Sequence, residues 1–488
     1  MASPTVTPLP ESRQPKGSDG RLASAVTPSA GPPLSPRLDV RLHRSYRAFF
    51  AMRHWLWRHV TPAGALLFWA MLAAGSFTDV GQTMAHHLFG LLFCILSLSL
   101  ISVRKPKHAF AIERTLPRHA SVGAPLRYRL TVHNRTRRWY RGTEFWEGVP
   151  DPRPTPLEFS TLAEPEEAAR NWFDRRYRFY RWTWLCQRNR RARVDPTPLP
   201  DLPPGGSVDV TIEMQPLRRG RLVIGPSEIA RIDPLGLFRR LAVVKETPSH
   251  LMIFPRRFAL PPIPLPGRSQ RLHSGGIALA GSVGDSEEFV SVREYRAGDP
   301  LRRIHWAGWA RTQRPIVKEF QEEFFVRHAL LLDTFAGGPE SDAFEDAVSL
   351  AASFASTVDQ RDSLLDLMFV GDRAHVFTGG RGLAHGEQLL EVLAGVELQP
   401  LGDPATLEQL VLKHSTHLSG CILILLRWDP PRRRLRERLE SHRIPTLTFV
   451  VSKEPPSELD PLPDRVHWLS PGKIEETLAI LPFSPVPT

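Results

Sequence analysis

Two long stretches without a formal charge dominate the polarity pattern near the N-terminus. They cover residues 59–78 and 80–103 and are separated by Asp79. About 20 apolar residues in a helix cross a hydrocarbon core of ~30 Å. Apolar side chains on all faces, together with flanking tryptophans, favour lipid over the alternative of two buried core helices. We therefore predict a transmembrane helical hairpin, with its basic flank, within residues 41–105.

The cations around these stretches predict the orientation of the hairpin. Five arginines between residues 41 and 58 precede the first stretch, three cations follow the second, and the connection has none. Short cytoplasmic segments are enriched in Lys and Arg. Both termini are therefore expected in the cytoplasm. The chain is predicted to be a multi-pass protein of the inner (cytoplasmic) membrane, with the lipid bilayer as a partner.

The first 40 residues have no apolar periodicity. Eight prolines lie among residues 1–38, together with Ser, Gly and Thr. This composition is typical of disorder, and the first long apolar run begins too late for a secretory signal. We predict that residues 1–40 are a disordered tail.

Period-two alternation of apolar and polar residues marks the region 106–256. It occurs in the segments PLRYRLTVHNRT, GGSVDVTIEMQP, GRLVIGPSEIARIDP and SHLMIFP, which lie between Pro- and Gly-containing turns. Half-buried strands have this pattern. It predicts an antiparallel β-sandwich of immunoglobulin-like size.

An insertion at residues 171–193 interrupts the predicted strands with eight Arg, one Asp and seven aromatic residues. Cations between rings also occur on platforms for single-stranded nucleic acid. Close to a bilayer, however, the same residues favour an anionic lipid surface or a packed insertion, and we expect no nucleic acid. The predicted membrane-surface residues are Arg175, Arg176, Arg178, Arg181, Trp182 and Trp184.

Continuous apolar strands alternate with amphipathic helices from residue 327 to 485. The apolar runs include RHALLLD, SLLDLMFVG, GCILILLRWD and IPTLTFVVS, and the helical segments include SDAFEDAVSLAASFASTVDQ and PRRRLRERLESH. Mostly parallel sheets covered by helices on both faces have this pattern. The predicted fold class is thus an α+β multidomain membrane protein: hairpin, sandwich, a linker and motif segment at 257–326, and a Rossmann-type α/β domain.

Charge and cysteine content narrow the function classes. Half of the net charge of +12 falls in residues 1–60, which hold nine Lys/Arg against three Asp/Glu. This asymmetry indicates a membrane surface before nucleic acid. The three cysteines, Cys94, Cys186 and Cys421, are far apart and odd in number, so they support neither a disulfide framework nor a paired-cysteine metal site.

The segment 287–320, EEFVSVREYRAGDPLRRIHWAGWARTQRPIVKEF, is the densest run of chemically capable side chains. Asp299 followed by proline predicts a helix N-cap, with PLRRIHWAGWAR as the helix. His305 and Asp299 could form an acid–base pair, but a structural histidine is the favoured interpretation. Arginine forks from Arg293, Arg302 and Arg311 are expected to brace the joint between the sandwich and the α/β domain.

Part of this segment, REYRAGDPLRRIHWAGWART, resembles the hallmark motif of the domain-of-unknown-function 58 (DUF58) family. RRGRLVIGPSEIARIDPLGLF resembles the segment that precedes it there, and the likeness covers about residues 105–480. The hallmark residues are Arg293, Glu294, Tyr295, Gly298, Asp299, Arg302, Ile304, His305, Trp306 and Arg311. The resemblance implies a membrane-anchored bacterial protein with a β-sandwich and a von Willebrand factor A-like domain. It also implies a MoxR-type AAA+ ATPase as partner and sometimes a transglutaminase-like membrane protein.

The family resemblance raises the question of a metal site. A metal-binding von Willebrand A domain ends its first strand in Asp-x-Ser-x-Ser, whose oxygens hold Mg²⁺. Here Asp333 ends the strand, but Phe335 and Gly337 stand at the hydroxyl positions. Asp429 is a possible second carboxylate. Without the hydroxyls we expect no metal or other cofactor, and we expect Asp333 to be a loop cap or an ion-pair partner.

Two functions are compatible with these residues. The first is a non-catalytic, membrane-tethered scaffold or adaptor whose α/β domain and hallmark segment engage the ATPase. The second is a metal-assisted hydrolase or nuclease that uses Asp299, His305 and the neighbouring arginines. The missing hydroxyl ligands favour the first, and phosphate-cradling GxxxxGKS/T and nucleophile-elbow GxSxG motifs are absent from the sequence. The hallmark residues are therefore predicted to have structural and docking roles.

Overall fold

The structure is a computed structural model that describes residues 36–76, 84–102, 110–165, 167–263, 265, 289–296, 298–299, 301–320, 326–335, 342–357, 363–379, 383–399, 403–453 and 462–481. Three helices come first: α1 (Pro36–His59), α2 (Pro62–Ser76) and α3 (Met84–Ser102). Most of the predicted disordered tail lies outside the described residues. Its last residues, from Pro36 onward, belong to α1, so the tail boundary at residue 40 is wrong.

Helix α3 is long and apolar enough to cross a membrane and is the one such helix among the described residues, whereas α2 is apolar but has only 15 residues. The two helices pack against each other. The first predicted span, residues 59–78, begins later than expected, because His59 is still the last residue of α1. Pro62 then begins α2, since proline at the first helical position loses no hydrogen bond.

Three sheets occupy the region predicted as a sandwich. Their orders are β1-β3-β7-β5, β10-β9-β4-β6 and β2-β11-β8. The strands are β1 (Phe110–Thr115), β2 (His119–Ser121), β3 (Leu126–Asn134), β4 (Thr143–Trp146), β5 (Ala192–Val194), β6 (Thr197–Leu199), β7 (Ser207–Pro216), β8 (Gly220–Ile224), β9 (Glu228–Ile232), β10 (Arg239–Val243) and β11 (Ser249–Phe254).

The apolar positions of these strands form one core, as the period-two pattern predicts. Inward side chains from all three sheets meet there, including Tyr128, Leu130, Phe145, Ile212, Leu222 and Ile253. Strand pairing is antiparallel except between β2 and β11, which pair in parallel. The fully antiparallel prediction is wrong at this edge, because β2 is a three-residue strand that joins β11 from the connection between β1 and β3.

Three short helices fill the long connection between β4 and β5. They are α4 (Pro156–Thr161), α5 (Trp172–Tyr177) and α6 (Phe179–Asn189). Thr155 and Glu158 form a capping box at the start of α4, and Asn171 caps α5. Helices α1 and α6 both contact α4, so the insertion forms a helical layer with α1.

Residues 289–320, called the hallmark element here, contain β12 (Phe289–Glu294), a 3-10 turn (Leu301–Arg303), α7 (Trp306–Thr312) and β13 (Ile316–Phe320). The two strands pair antiparallel in a sheet of their own. Ile304 and Val317 are buried and form an isolated β-bridge, which holds the turn before α7 against β13.

The C-terminal domain is a six-stranded sheet of order β16-β15-β14-β17-β18-β19, with β16 antiparallel to its neighbour and the other strands parallel. The strands are β14 (Val326–Leu332), β15 (Ser363–Val370), β16 (Ala374–Gly379), β17 (Gly420–Leu425), β18 (Thr446–Val451) and β19 (Val466–Leu469). The helices are α8 (Asp342–Thr357), α9 (Leu383–Gly395), α10 (Pro404–His414), α11 (Pro430–Ser441) and α12 (Ile474–Ile480).

Alternate residues of the central strands face two separate cores in this domain. On β14, Leu330 and Leu332 pack with α8 and α9, whereas Ala329 and Leu331 pack with α10 and α11. Helices therefore cover both faces, as predicted. The sequence interpretation did not include α10, although Asp403 before a proline is an N-cap signal and its carboxylate accepts the N–H of Ala405.

Candidate functional site

Asp299 of the hallmark element lies in a fork made by Arg293. The two guanidinium nitrogens donate to its two carboxylate oxygens at 2.7 and 2.8 Å, and the N–H of Arg296 donates to the same group at 2.8 Å. The Arg293 fork, and then the Arg296 N–H, lower the pKa of Asp299 to about 2. The predicted Arg293 fork is thus present, and Asp299 is a carboxylate at neutral pH.

Helix α7 begins at Trp306, later than predicted, and its N-cap is His305 instead of Asp299. The His305 Nδ1 atom accepts a hydrogen bond from the N–H of Gly308 at 3.0 Å. A Cβ at position 308 would lie 2.6 Å from Nδ1, so the cap requires glycine there. Asp299 cannot cap the helix because Arg293 and Arg296 hold its oxygens.

These hydrogen bonds argue against Asp299 and His305 as an acid–base pair. Asp299 accepts hydrogen bonds from Arg293 and from the Arg296 N–H, and the His305 side chain accepts one from the Gly308 N–H. Among the described residues, no hydrogen bond joins the two side chains. An acid–base pair would require both groups to leave these partners, so the arrangement is that of a braced turn.

The remaining hallmark residues lie around this turn. The backbone N–H of Tyr295 donates to Pro315, and Gly298 adopts a φ of +110°, which glycine permits. Glu294 pairs on the surface with Arg314 at 2.9 Å. Arg302 and Arg311 have exposed side chains, and among the described residues neither forms the fork that was expected to brace the domain joint.

Two tryptophans form an exposed surface on α7. Trp306 and Trp309 stack with ring centroids 5.4 Å apart, and 66% of Trp306 is exposed. Leu301, in the turn before the helix, is also largely exposed. Large exposed apolar side chains beside cations are typical of contact surfaces between proteins.

Arg219 braces the joint between the three-sheet region and the C-terminal domain. This half-buried arginine donates to Glu345 and, at 2.6 Å, to the carbonyl of Val396, and its guanidinium lies over the Phe344 ring. Phe254 and Phe258 add apolar contact with the C-terminal core. Arg219 lies in RRGRLVIG, part of the second segment in which the sequence resembles the DUF58 family, and this resemblance is the sequence signal that could have identified it.

A buried ion-pair centre of Asp333, Arg432 and Asp429, called the Arg432 centre here, lies at the end of β14, where a metal-binding von Willebrand A domain holds its ion. Asp333 is fully buried and accepts hydrogen bonds from Phe335 N–H, Leu426 N–H and Arg432 Nε, the last at 2.5 Å. Arg432 also contacts Asp429 and donates to the Phe335 carbonyl. Asp333 is therefore both a loop cap and an ion-pair partner, two roles that the sequence predicted.

The guanidinium of Arg432 bridges the two candidate metal carboxylates. Burial alone would lower the pKa of Arg432, but Asp333 and then Asp429 outweigh burial and raise it, so the group stays charged. Among the described residues, no group of three or more His, Cys, Asp or Glu side chains is placed to hold a metal ion. The Arg432 guanidinium thus places beside Asp333 the positive charge that a bound metal ion would otherwise provide.

The insertion at 171–193 is packed, which corrects three of its predicted membrane-surface residues. Trp182 is fully buried in a cluster with Phe159 and Leu185. Arg178 is buried and pairs with Asp39 of α1, and Arg181 is buried and pairs with Glu167. These cations face acids inside the protein, which sequence composition alone does not reveal.

The other predicted surface residues of the insertion have different environments. Arg175 is exposed and Arg176 half-buried. Trp184 packs partly against the Trp182 cluster, and Arg188 lies over its ring. Arg175 therefore remains the clearest surface cation of the predicted set.

We expect Arg181→Ala to lower the free energy of unfolding by ~3 kcal/mol, because Glu167 and the Phe159 carbonyl lose a buried partner. Arg175→Ala is the matched control, since Arg175 is exposed and its loss is expected to cost under ~0.5 kcal/mol. Thermal unfolding of the purified full-length protein measures both. Equal, small effects would contradict a structural role for Arg181.

The fold and these contacts define a mixed α+β protein with several sheets, a candidate membrane-spanning helix and a separate, tryptophan-bearing hallmark element. Residues 291–415 match the family described as "Protein of unknown function DUF58". The resemblance that the hallmark motif indicated is thus confirmed over this segment, which is shorter than the predicted 105–480.

The uncharacterized protein YeaD of Bacillus subtilis (strain 168) is 27% identical over 192 residues, which are 38% of this chain and 46% of that protein. The chain thus matches about half the length of this relative.

Two solved structures have a partial likeness. The CARDB domain of the PF1109 protein of Pyrococcus furiosus, solved in complex with di-metal ions, is 11% identical, covers 30% of this chain and 91% of its own, and has a TM-score of 0.16. Salmonella alpha-2-macroglobulin reacted with methylamine is 14% identical, covers 33% of this chain and 8% of its own, and has a TM-score of 0.17. Neither value assigns a fold.

Proposed function

We propose that this protein is a membrane-anchored docking protein, not a catalyst, whose cytosolic C-terminal α/β domain and hallmark element engage a MoxR-type AAA+ ATPase. The observation that carries the proposal is the exposed Trp306–Trp309 stack on a helix fixed by the His305 cap. Trp and Arg are the residues most enriched at the energetic centres of protein interfaces. Arg302 and Arg311 are exposed on the same element and suit an acidic partner surface.

The anchor of this proposal is a two-helix transmembrane hairpin formed by α2 and α3. The start of α2 and the end of α3 both contact the loop after β9. Thr61 donates its hydroxyl to the carbonyls of Gly236 and Leu237, and Ser99 donates to Asp233. These contacts support a hairpin with both ends on the side of the body, and hence two cytoplasmic termini at the inner membrane.

The finer fold assignments belong to the same proposal. A first strand in the middle of the sheet, an antiparallel edge strand and Asp333 at the end of that first strand support a von Willebrand factor A-like C-terminal domain. Packed sheets around one core support an immunoglobulin-like sandwich. Because Arg432 bridges Asp333 and Asp429, we propose that docking by this domain does not depend on a divalent cation.

The Arg432 centre also weighs against the second candidate function, a metal-assisted hydrolase or nuclease. Such an enzyme needs free carboxylates that converge on a metal. Asp333 and Asp299 are each bonded to arginine and backbone instead. The hydrolase remains an outcome of the experiment that tests the docking proposal.

Replacing Trp306 and Trp309 together by Ser is expected to lower the amount of co-purified ATPase by roughly tenfold or more, because two aromatic anchors are lost. The full-length protein is isolated from native membranes, and bound proteins are identified by mass spectrometry. The matched control is the Trp172→Ser/Phe173→Ser variant, which removes two exposed aromatic side chains of α5. Its recovery of the ATPase is expected to be unchanged. A transglutaminase-like membrane protein is a second expected neighbour.

Two results would contradict the docking proposal. One is ATPase recovery that is unchanged by the double Trp variant. The other is calorimetric binding of Mg²⁺ or Mn²⁺ that is lost in Asp333→Ala, accompanied by nuclease or phosphatase turnover that is lost in a folded His305→Ala variant. The second result would favour the hydrolase.

A further inference from the structure

We propose that α1 is an interfacial helix that seats the body on an anionic lipid leaflet through the face opposite the body. This inference rests on the proposed membrane anchor but assigns a distinct surface. The sequence predicted that the insertion at 171–193 contacts lipid. Because the insertion buries three of its candidate residues against α1 and α4, we assign the main lipid contact to α1 instead.

One face of α1 is used for packing on the body. Tyr46 and Phe50 stack around Trp182 of α6, and the Tyr46 hydroxyl donates to the Tyr177 carbonyl at 2.7 Å. Near the helix end, Trp57 meets Trp146 of β4. Asp39, which pairs with Arg178, and these three residues are spaced by seven, four and seven positions, so they form one helix face.

The exposed surface of α1, which runs from Arg47 on one flank of the packed face around to Phe49 on the other, has two distinct halves. Its first half presents three exposed cations, Arg41, Arg44 and Arg47. Its second half presents exposed apolar side chains: Phe49, Met52, Trp55 and Leu56 are 50%, 56%, 54% and 44% exposed. A cationic and apolar face on a helix that is otherwise packed is typical of helices that lie in the membrane interface.

The position of α1 places the apolar half beside the bilayer. Only Val60 and Thr61 separate its end from α2. That junction is rigid, because the carbonyl of Leu237 lies 2.2 Å from where a Cβ on Gly64 would be and also accepts the Thr61 N–H at 3.0 Å. The Met52 to Leu56 turn is thus held within about three helical turns of the first apolar helix, at the depth where Trp is favoured.

The positive charge of α1 favours anionic lipid over a second copy of this chain as the partner of its exposed face. Helix α1 contains six arginines and one acid, Asp39, which faces the body and pairs with Arg178. A second α1 would bring like charges together, whereas anionic headgroups complement them. The arginines come before the apolar residues, so the helix can dip towards the bilayer at its C-terminal end while the arginines reach headgroups.

The test uses the full-length protein in vesicles and measures how far a fluorophore lies from the bilayer centre. Bimane is attached to Met52→Cys, to Leu91→Cys in α3, or to Ile480→Cys, an exposed residue of α12. The background variant is Cys94→Ala/Cys186→Ala, because Cys421 is fully buried and is not labelled in the folded protein. Quenching is compared for nitroxide lipids labelled near the headgroup and near the bilayer centre.

At Met52→Cys we expect quenching mainly by the shallow nitroxide in vesicles of one-third phosphatidylglycerol, and less in pure phosphatidylcholine. Leu91→Cys should be quenched mainly by the deep nitroxide, and Ile480→Cys by neither. Arg41→Glu/Arg44→Glu/Arg47→Glu should reduce the Met52→Cys quenching by about twofold or more, since each arginine adds surface attraction. The matched control Arg373→Glu/Arg427→Glu/Arg434→Glu changes the same charge on exposed residues of the C-terminal domain and should leave quenching unchanged.

The outcomes separate this inference from the proposed anchor. Deep quenching at Leu91→Cys with none at Met52→Cys would overturn the interfacial helix and leave the anchor intact. No quenching at Leu91→Cys would remove the anchor and the inference together. Shallow quenching that ignores phosphatidylglycerol and the arginine reversal would overturn the anionic-lipid assignment. Cross-linking between Met52→Cys copies without lipid quenching would assign the face to a second copy.

Discussion

Replacing Arg432 by Met is expected to lower the free energy of unfolding by ~3–5 kcal/mol, the cost typical of breaking a buried ion pair. Asp333 is fully buried, and Arg432 is its cationic partner at 2.5 Å. Methionine has a similar length but no donors, so the Asp333 carboxylate would remain buried with only two backbone N–H groups. Thermal unfolding of the detergent-solubilised full-length protein measures the loss.

Two comparisons identify the cause of that loss. Arg434→Met, an exposed change on the same helix α11, is expected to stay within ~0.5 kcal/mol of the parent. Adding Asp333→Asn to Arg432→Met should recover part of the loss, because the unpaired charge is gone. If Arg432→Met is as stable as the parent, our inference that the Arg432 charge takes the place of a metal ion at Asp333 is wrong.

Replacing Arg114 by Met is expected to destabilise the three-sheet region by at least as much, ~3–5 kcal/mol or more. Arg114 donates to Glu147 and Glu246, whose side chains are 0% and 5% exposed. Ser227 accepts a further hydrogen bond from Arg114 at 2.5 Å, and Tyr128 donates to Glu147. Without the guanidinium, two buried carboxylates would face each other with no cation between them.

Arg127→Met is the matched control for Arg114→Met. Arg127 also lies in the β1-β3-β7-β5 sheet and also pairs with a glutamate, Glu213, but the two side chains are 72% and 58% exposed. Exposed pairs contribute ~0–1 kcal/mol. Urea unfolding followed by tryptophan fluorescence should separate the two variants clearly. Similar midpoints for both would mean that the buried network is not what stabilises the three-sheet region.

The polarity pattern predicted the elements whose burial follows from local periodicity. The predicted runs from 327 to 485 coincide with β14, α8, β15, β16, α9, β17, α11, β18, β19 and α12, because a strand or helix buried on defined faces must repeat its apolar residues at its own period. For the same reason β3, β7, β8, β9 and β11 lie where alternation predicted them. Helices α4 to α6 were not predicted, because α4 has only six residues and arginines interrupt the apolar residues of α5 and α6.

The sequence did not predict the burial of three arginines, Arg178, Arg181 and Arg432. The residues next to them in sequence show only that they are cations, and cations are usually exposed. Their acidic partners Asp39, Glu167 and Asp333 are 139, 14 and 99 residues away. The start of α7 was misplaced for a related reason, since Asp299 had the sequence of an N-cap but was taken by Arg293.

By itself the sequence determined the order of helices and strands, the hallmark motif and the apolar α3, since each depends on neighbours within a few residues. Tertiary structure alone decided which cations are buried, which brace joins the domains and which face of α1 is exposed. Burying a charge is favourable only when a distant acid meets it in a fixed geometry. That meeting is a property of the folded chain, which is why the Arg432 centre and the outward face of α1 could not be predicted from the pattern of residues.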